Sequence, residues 1–585
     1  MEQRAILAVA ISLAILLVYN EFILPTIHPT GSETPAIEET TGAPVAPPID
    51  DEESLPPPPL GDRDAAEIAA APDAPARSVT IETDFYVATL TSAGGRVESF
   101  RIKDHRTSVD RDSPWLEMVE PAENDELPFG VDLRGLDRDS GKVLNFSDRG
   151  ADYAISAEGT VRVAPGESRV VEMVWPGPAG TIKKRLTFHG DQRSIDAAVV
   201  GEQLDSRYTQ LAVSWPSPIQ SAEHENLFDR IEYLEGRSLE QYLLQDDDLL
   251  NGIVVEPARN PEEPGWEWVG ISGRHFMVGM VPDLHLPEAE GGEAAAPGVS
   301  SPRPTLFLKQ KTVTASGTEK DRQYLRAQLL YPVRASSVAE DIKLYLGAKN
   351  VELLEPVGHK LSRAVDLGWF SFVALPLLWM LRQCHRLTGN YGVDIILLTV
   401  LIKILFLPLT QKSFTAMQGM QKIQPELERV REQYKDKPDE MQKQLMELYR
   451  KHGVNPLGGC LPMIVQIPVF IGLYQALLNA VELRHAPFVG WITDLSAPDR
   501  LGTLALPFVD PPGIPVLTLV MGASMLLQQW MTPSVGDPMQ RRMMMIMPVA
   551  FTFMFVSFPA GLVLYWTVNN VLTIAQQYYV QRSKA

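Results

Sequence analysis

A lysine stands in the middle of an apolar run. Lys403 lies within 393–409, where Val393, Ile395, Ile396, Leu397, Leu398, Val400, Leu401 and Ile402 precede it and Ile404, Leu405, Phe406 and Leu407 follow. As an α-helix rising ~1.5 Å per residue, the run puts Lys403 ~15 Å from Val393, too far from either end for its ammonium to snorkel to an interface. A charge at that depth needs water or a counter-charge. The other apolar runs of the C-terminal part contain no Asp or Glu, so the pattern points to a water-containing cavity inside a helix bundle. Its chemistry is attraction of anionic groups, not bond making. Thr399, one turn earlier on the same face, extends the polar wall, and Gln466, Gln528, Thr567, Asn569, Asn570 and Thr573 supply polar groups from other runs. Tyr565 and Trp566 add amphipathic contacts. For any single Thr, Asn or Gln the competing explanation is an interhelical hydrogen bond; Lys403 is the residue that argues for function.

Other chemistries find no support. Gly522-Ala523-Ser524-Met525 lacks the closing glycine of a Gly-x-Ser-Gly nucleophile site, and no histidine lies in the apolar runs to activate Ser524. No Gly-rich loop ends in Lys-Ser or Lys-Thr, so a nucleotide is not expected. His224-Glu225 is not followed by a histidine at metalloprotease spacing, and neither metal nor cofactor is expected. The chain therefore does not read as an enzyme. A net charge of -21 argues against nucleic acid as a partner. An ion or solute transporter remains the alternative that also explains Lys403, although no inverted repeat or paired acidic relay accompanies it.

The elements that must position these residues are unevenly distributed along the 585 residues. Mean hydropathy of -0.05 hides apolar blocks balanced by a polar domain. Residues 1–24 read as an uncleaved signal anchor: a helix of that length spans ~30 Å, and 16–21 lack the small residues of a cleavage site. Residues 25–77, rich in Pro, Glu and Asp, form a tether with no core to bury. Residues 78–345 carry short β-branched and aromatic strands separated by Gly and Pro turns, which predicts a β-sandwich, with 286–304 as a surface insertion and helical periodicity at 337–346. The connection 346–392 includes Trp369, Phe370, Trp379, Arg382, His385 and Arg386 around Pro376, an interfacial helix rather than a span.

Residues 393–585 hold five apolar runs, at 393–409, 456–478, 514–531, 543–558 and 561–579, giving six spans with the anchor. Between the first two, 414–454 reads as a helical hairpin with an apolar stripe that includes Met417, Met420, Leu427, Met441 and Leu445. Nine Lys and Arg lie between 409 and 456 against two between 480 and 514, so the hairpin is cytoplasmic. Alternation then puts both termini in the cytoplasm and the β-domain in the periplasm. Cys384 and Cys460 lie outside that domain, which folds without disulfides.

Four runs carry a family resemblance over nearly the whole chain. They are Asn455-Pro456-Leu457-Gly458-Gly459-Cys460-Leu461-Pro462, Gln466-Ile467-Pro468-Val469-Phe470, Glu482 to Phe488 with Trp491-Ile492-Thr493-Asp494-Leu495-Ser496, and Phe558-Pro559-Ala560-Gly561-Leu562-Val563-Leu564-Tyr565-Trp566. Together they resemble the YidC membrane-protein insertase family of Gram-negative bacteria. The resemblance implies a multi-span helical protein with a periplasmic β-supersandwich and a cytoplasmic hairpin. It implies insertion and folding of inner-membrane proteins, alone or with the Sec translocon, through a hydrophilic groove open to cytoplasm and lipid. Nascent membrane proteins, Sec components, membrane lipids and the ribosome are the implied partners. Lys403, Thr399, Gln466, Tyr565, Trp566 and Asn569 are the expected groove residues. Family members usually carry Arg where this chain has Lys403, which keeps the charge and loses the bidentate fork.

Overall fold

The computed structural model describes residues 67–68, 76–110, 112–119, 126–137, 140, 142–217, 227–244, 246–257, 265–282, 304–313, 322–435, 437–454, 461–505, 509, 511–531 and 538–583. The anchor at 1–24, most of the 25–77 tether, the 286–304 insertion apart from Pro304 and the 455–460 motif lie outside the described residues. The rest falls into two compact units, one rich in sheet ending at Ala364 and one helical beginning at Val365.

The sheet-rich unit holds three sheets. The seven-stranded one runs, in spatial order, Glu67–Ile68, Val143–Ser147, Gly130–Leu136, Tyr208–Pro216, Arg322–Pro332, Thr305–Val313 and Ile253–Val255. Glu67 and Ile68, inside the stretch read as a tether, pair with Phe146 and Ser147. The nine-stranded sheet runs Ser238–Leu243, Arg230–Glu235, Trp266–Ser272, Phe276–Pro282, Val338–Ala348, Ser194–Glu202, Gly180–His189, Ser168–Gly177 and Ala154–Ile155. The five-stranded one runs Trp115–Glu117, Arg96–Arg106, Tyr86–Thr91, Ser78–Glu82 and Gly159–Arg162. Alternation is clear in Gly180–His189, where Ile182, Lys184, Leu186 and Phe188 are buried while Arg185 is exposed, whereas Phe276–Pro282 is buried along its whole length.

One expectation is overturned here. The stretch 337–346, read as helical, is the strand Val338–Ala348, paired on both sides with Ser194–Glu202 and Phe276–Pro282. Val338, Ile342, Leu344 and Leu346 are buried, whereas Ala339 and Asp341 are exposed. Ile342, Leu344 and Leu346 recur at a spacing of two, not 3.6, with Tyr345 and Gly347 buried on the opposite face, and Val338 with Ile342 fits either period.

A buried charge cluster ties the three sheets together. Asp148 accepts from Arg96 (2.6 Å), from the Tyr153 hydroxyl (2.8 Å) and from the Val131 amide (3.1 Å), and pairs with Lys184 at 2.6 Å. The Lys184 ammonium also donates to the carbonyls of Gly94, Gly95 and Phe129. Arg96, Val131 and Lys184 belong to the five-, seven- and nine-stranded sheets respectively. Burial pulls the Lys184 ammonium down to about 8, against the attraction of Asp148.

The helical unit contains α1 (Ser371–Thr388), α2 (Tyr391–Lys422), α3 (Gln424–Gln433), α4 (Pro438–His452), α5 (Leu461–Asn479), α6 (Val516–Met531), α7 (Pro538–Phe555) and α8 (Ala560–Ser583). Among the described helices, α2 alone is long and apolar enough to cross a membrane, while α6 and Met544–Phe555 are shorter apolar helices. Helix α1 contains Pro376 and exposes Phe372, Leu375, Trp379 and Leu387 while burying Ala374, Leu377, Leu378 and Leu381. Helix α1 is therefore amphipathic. Pro425 occupies the first turn of α3 after the α2 helix ends at Lys422, so it restarts the chain as a new helix. Gly453 closes α4 in the left-handed conformation.

Candidate functional site

Lys403 is positioned by the way α2 starts. Asn390 caps it, its side chain accepting from the Val393 amide at 3.2 Å and donating to the Phe488 carbonyl at 3.2 Å. One turn in, the wholly buried Asp394 is bonded by His385 (2.8 Å) and by the Thr388 hydroxyl. These contacts fix the rotation of α2 against α1. Ile395, Leu398 and Ile402 then enter a core shared with Leu473, Leu477, Met521 and Leu562, while Leu397, Leu401, Ile404 and Leu405 stay exposed. Lys403 falls between these two faces.

The partner helix α8 is fixed at its start by the loop before α6. The amides of Ala560 and Gly561 donate to the carbonyls of Ala497 (2.8 Å) and Leu495 (2.9 Å). Gly561 sits where a Cβ would lie 3.2 Å from both the Leu495 carbonyl oxygen and Ile395, which accounts for a glycine in that motif. Asp499 of the same loop caps α6 through the Leu517 amide (2.7 Å) and the Thr518 hydroxyl (3.0 Å).

With α2 and α8 so placed, the Lys403 ammonium donates to the Thr573 hydroxyl at 2.6 Å and to the Asn569 side-chain oxygen at 3.3 Å. Both partners are neutral, so neither offsets the charge of the ammonium. Further along the same pair of helices Gln576 donates to the Thr410 hydroxyl at 2.8 Å. Polar residues at 403 and 410 on α2 thus face polar residues at 569, 573 and 576 on α8, a polar seam at helical spacing between the two helices.

Of the six expected groove residues, Lys403 and Asn569 come together. Thr399 is buried and its hydroxyl donates to the Ile395 carbonyl at 2.6 Å, so it is satisfied within its own helix. Gln466 lies beside the buried Tyr565 hydroxyl. Trp566 packs edge-on against Phe470 with centroids 4.6 Å apart and also meets Phe551 and Phe555; it belongs to an aromatic cluster rather than to the polar seam. Thr573, one of the polar residues of the apolar runs, joins Asn569 at the ammonium, and Thr410 and Gln576 are additions that the sequence reading lacks. The signal that identifies them is the 569, 573, 576 spacing on α8 set against 403 and 410 on α2. Among the described residues no group of His, Cys, Asp or Glu is arranged to hold a metal.

A family model described as the YidC periplasmic domain matches residues 78–380, and one described as 60Kd inner membrane protein matches 383–585. The membrane protein insertase YidC of Pelobacter propionicus is 36% identical over 597 residues, covering 100% of this chain and 99% of that protein. That of Syntrophobacter fumaroxidans is 38% identical over 517 residues, covering 87% of each. A solved structure of an active YidC insertase with its first transmembrane domain resolved aligns with 88% of this chain and 95% of its own, at 16% identity and a TM-score of 0.34, a likeness too low to add to the sequence relationship.

Proposed function

The chain belongs to the YidC family of membrane protein insertases, and from that membership we propose that it inserts and folds integral inner-membrane proteins through a hydrophilic groove whose charged element is Lys403. It is an inner-membrane protein with a periplasmic domain. The observation that carries the groove reading is the Lys403 ammonium held by Thr573 and Asn569 between the apolar runs 400–402 and 404–407 of α2.

A polar terminus entering the bilayer is costly because its groups lose water. A polar seam between α2 and α8 lowers that cost, and the exposed apolar sides of α2 and α7 offer the arriving helix a route into lipid. Lys403 attracts acidic residues of the translocated tail transiently, and burial of the substrate's own apolar helix drives the step. Thr573, Asn569, Gln576 and Thr410 complete the seam; Gln466, Tyr565 and Trp566 shape its neighbourhood. The α3–α4 hairpin receives the substrate on the cytoplasmic side. Six spans, cytoplasmic termini, a supersandwich arrangement of the periplasmic sheets, and Sec translocon and ribosome as partners belong to the same proposal. Family membership replaces the transporter alternative.

Reconstitution into proteoliposomes tests it. Tenfold slower insertion corresponds to about 1.4 kcal/mol. That is about a third of the ~4 kcal/mol that unit charges 4 Å apart gain at an effective dielectric of ~20. Lys403→Ala is therefore expected to slow insertion of acidic-tailed substrates at least about tenfold, whereas Lys403→Arg retains it. Equal rates for wild type and Lys403→Ala on such substrates would remove the charge from the mechanism.

A further inference from the structure

The outward face of the nine-stranded sheet carries a depression of ≈ 230 Å³ lined by Arg185, Thr187, Asp196, Ala198, Asp341 and Lys343, together with Ala197 and Ile342. Two rungs of the sheet build it. In one, Thr187, Asp196 and Lys343 stand side by side on adjacent strands; in the next, Arg185, Ala198 and Asp341 do. Ala198 is the small residue at the centre, and the longer side chains around it form the rim.

The charges on this rim are balanced yet not spent on one another. Asp196 is the register partner of Lys343, but its carboxylate is taken by His189 at 2.8 Å, and the other ring nitrogen of His189 is bonded to the Ser168 hydroxyl at 2.8 Å. Among the described residues Arg185, Asp341 and Lys343 form no hydrogen bond or ion pair through their side chains. On a merely solvated strand face, directly opposed unlike charges pair. Here a Ser–His–Asp chain instead holds one carboxylate in place and leaves two cations and a second carboxylate facing the hollow.

A simple anion would meet Asp196 and Asp341, and a simple cation would meet Arg185 and Lys343. A small molecule carrying both charges satisfies all four. The volume lies below the ~300 Å³ at which pockets for drug-sized ligands begin, which limits the occupant to a few heavy atoms. We propose that this depression binds a small zwitterion, its phosphate or carboxylate against Arg185 and Lys343 and its primary ammonium against Asp196 and Asp341. Thr187 adds a hydroxyl between the two halves. This chemistry belongs equally to a free solute and to an ethanolamine lipid headgroup.

The test is calorimetric titration of the full chain in a non-ionic detergent. O-phosphoethanolamine is expected to bind saturably, one per chain, at millimolar concentration or below. Arg185→Ala, Asp341→Asn and Ala198→Leu should each weaken it at least threefold. Arg185 and Asp341 are exposed, so their variants keep the fold, which circular dichroism verifies, even where Ala198→Leu does not. Phosphocholine, which has no ammonium N–H, should bind at least threefold more weakly. Dihexanoyl phosphatidylethanolamine below its micelle concentration separates the sources: tighter binding than O-phosphoethanolamine, with the same dependence on Arg185 and Asp341, assigns the site to a headgroup, and the reverse order assigns it to a solute. No saturable binding of either, binding indifferent to Arg185 and Asp341, or equal binding of phosphocholine overturns the proposal.

Discussion

Replacing Asp148 by Asn removes the carboxylate that Arg96 and Lys184 both touch in the middle of the sheet-rich unit. All three side chains are at most 4% exposed. An asparagine of the same shape still accepts from Arg96 or the Val131 amide through its oxygen, but its amide nitrogen then points a donor at Lys184 and Tyr153. Arg96 cannot discharge by losing its proton. Lys184 can, and as a neutral amine it keeps two N–H donors for its three carbonyl neighbours. Breaking a buried ion pair by removing one partner costs roughly 3–5 kcal/mol, and Arg96 bears most of that. A pH signature accompanies it. In the wild type Lys184 sits at about 8 against an ordinary 10.5, so between these values the unfolded chain binds more protons than the folded one. Stability of this unit therefore rises with pH across that window, by up to about 3 kcal/mol from this group. In Asp148→Asn the lower edge of the window moves to lower pH, because burial then acts without the attraction of Asp148. Denaturant unfolding of the full chain, followed by circular dichroism in the β-sheet region from pH 7 to 10, reads both effects. A loss below about 1 kcal/mol together with an unchanged pH slope would refute the reasoning, since a buried cation deprived of the carboxylate it touches must either pay desolvation or lose its proton.

Two further outcomes concern the division of labour. Every residue of the proposed groove lies in the helical unit, so deleting 78–348 should leave insertion by the proteoliposome assay within a few-fold of wild type. The deletion runs to 348 because the strand Val338–Ala348 would otherwise lose both neighbours; failure of a stably expressed deletion protein to insert would tie the domain to the activity. Removing 422–450, which excises α3 and most of α4, should abolish insertion while the α2–α8 contacts persist, and normal insertion kinetics would reduce the hairpin to a passive connection.

How much of this was legible in the sequence differs between the two units. In the helical unit Lys403 announced itself because a charge in an apolar run has no neutral explanation, and Asn569 followed as a polar residue in a facing run. Thr573 is one polar candidate among several in the sequence, since a threonine in a membrane helix so often bonds its own backbone, as Thr399 does here and as Thr573 also does toward Asn569. Only the placement of α2 against α8 shows which hydroxyl meets the ammonium. In the sheet-rich unit β-branched and aromatic runs mark strands such as Tyr86–Thr91 and Gly180–His189, whereas Glu67–Ile68 sits in a Pro- and acid-rich stretch and in 337–346 Val338 and Ile342 fit both periods. The Asp148 cluster was not readable at all. Its members lie up to 88 residues apart on three different sheets, and nothing local marks a lysine in the alternating strand Gly180–His189 as wholly buried.

The central claim is that Lys403 faces water continuous with the cytoplasm. Its most direct test is maleimide labelling of Lys403→Cys in a chain with Cys384 and Cys460 replaced by Ser, using a membrane-impermeant reagent added to the cytoplasmic face of sealed inverted vesicles. The account predicts labelling there, and loss of labelling when an arrested acidic-tailed substrate occupies the groove. A thiol at 403 that stays unreacted from the cytoplasmic face, while a cysteine placed in the exposed α3–α4 hairpin reacts fully, would contradict it.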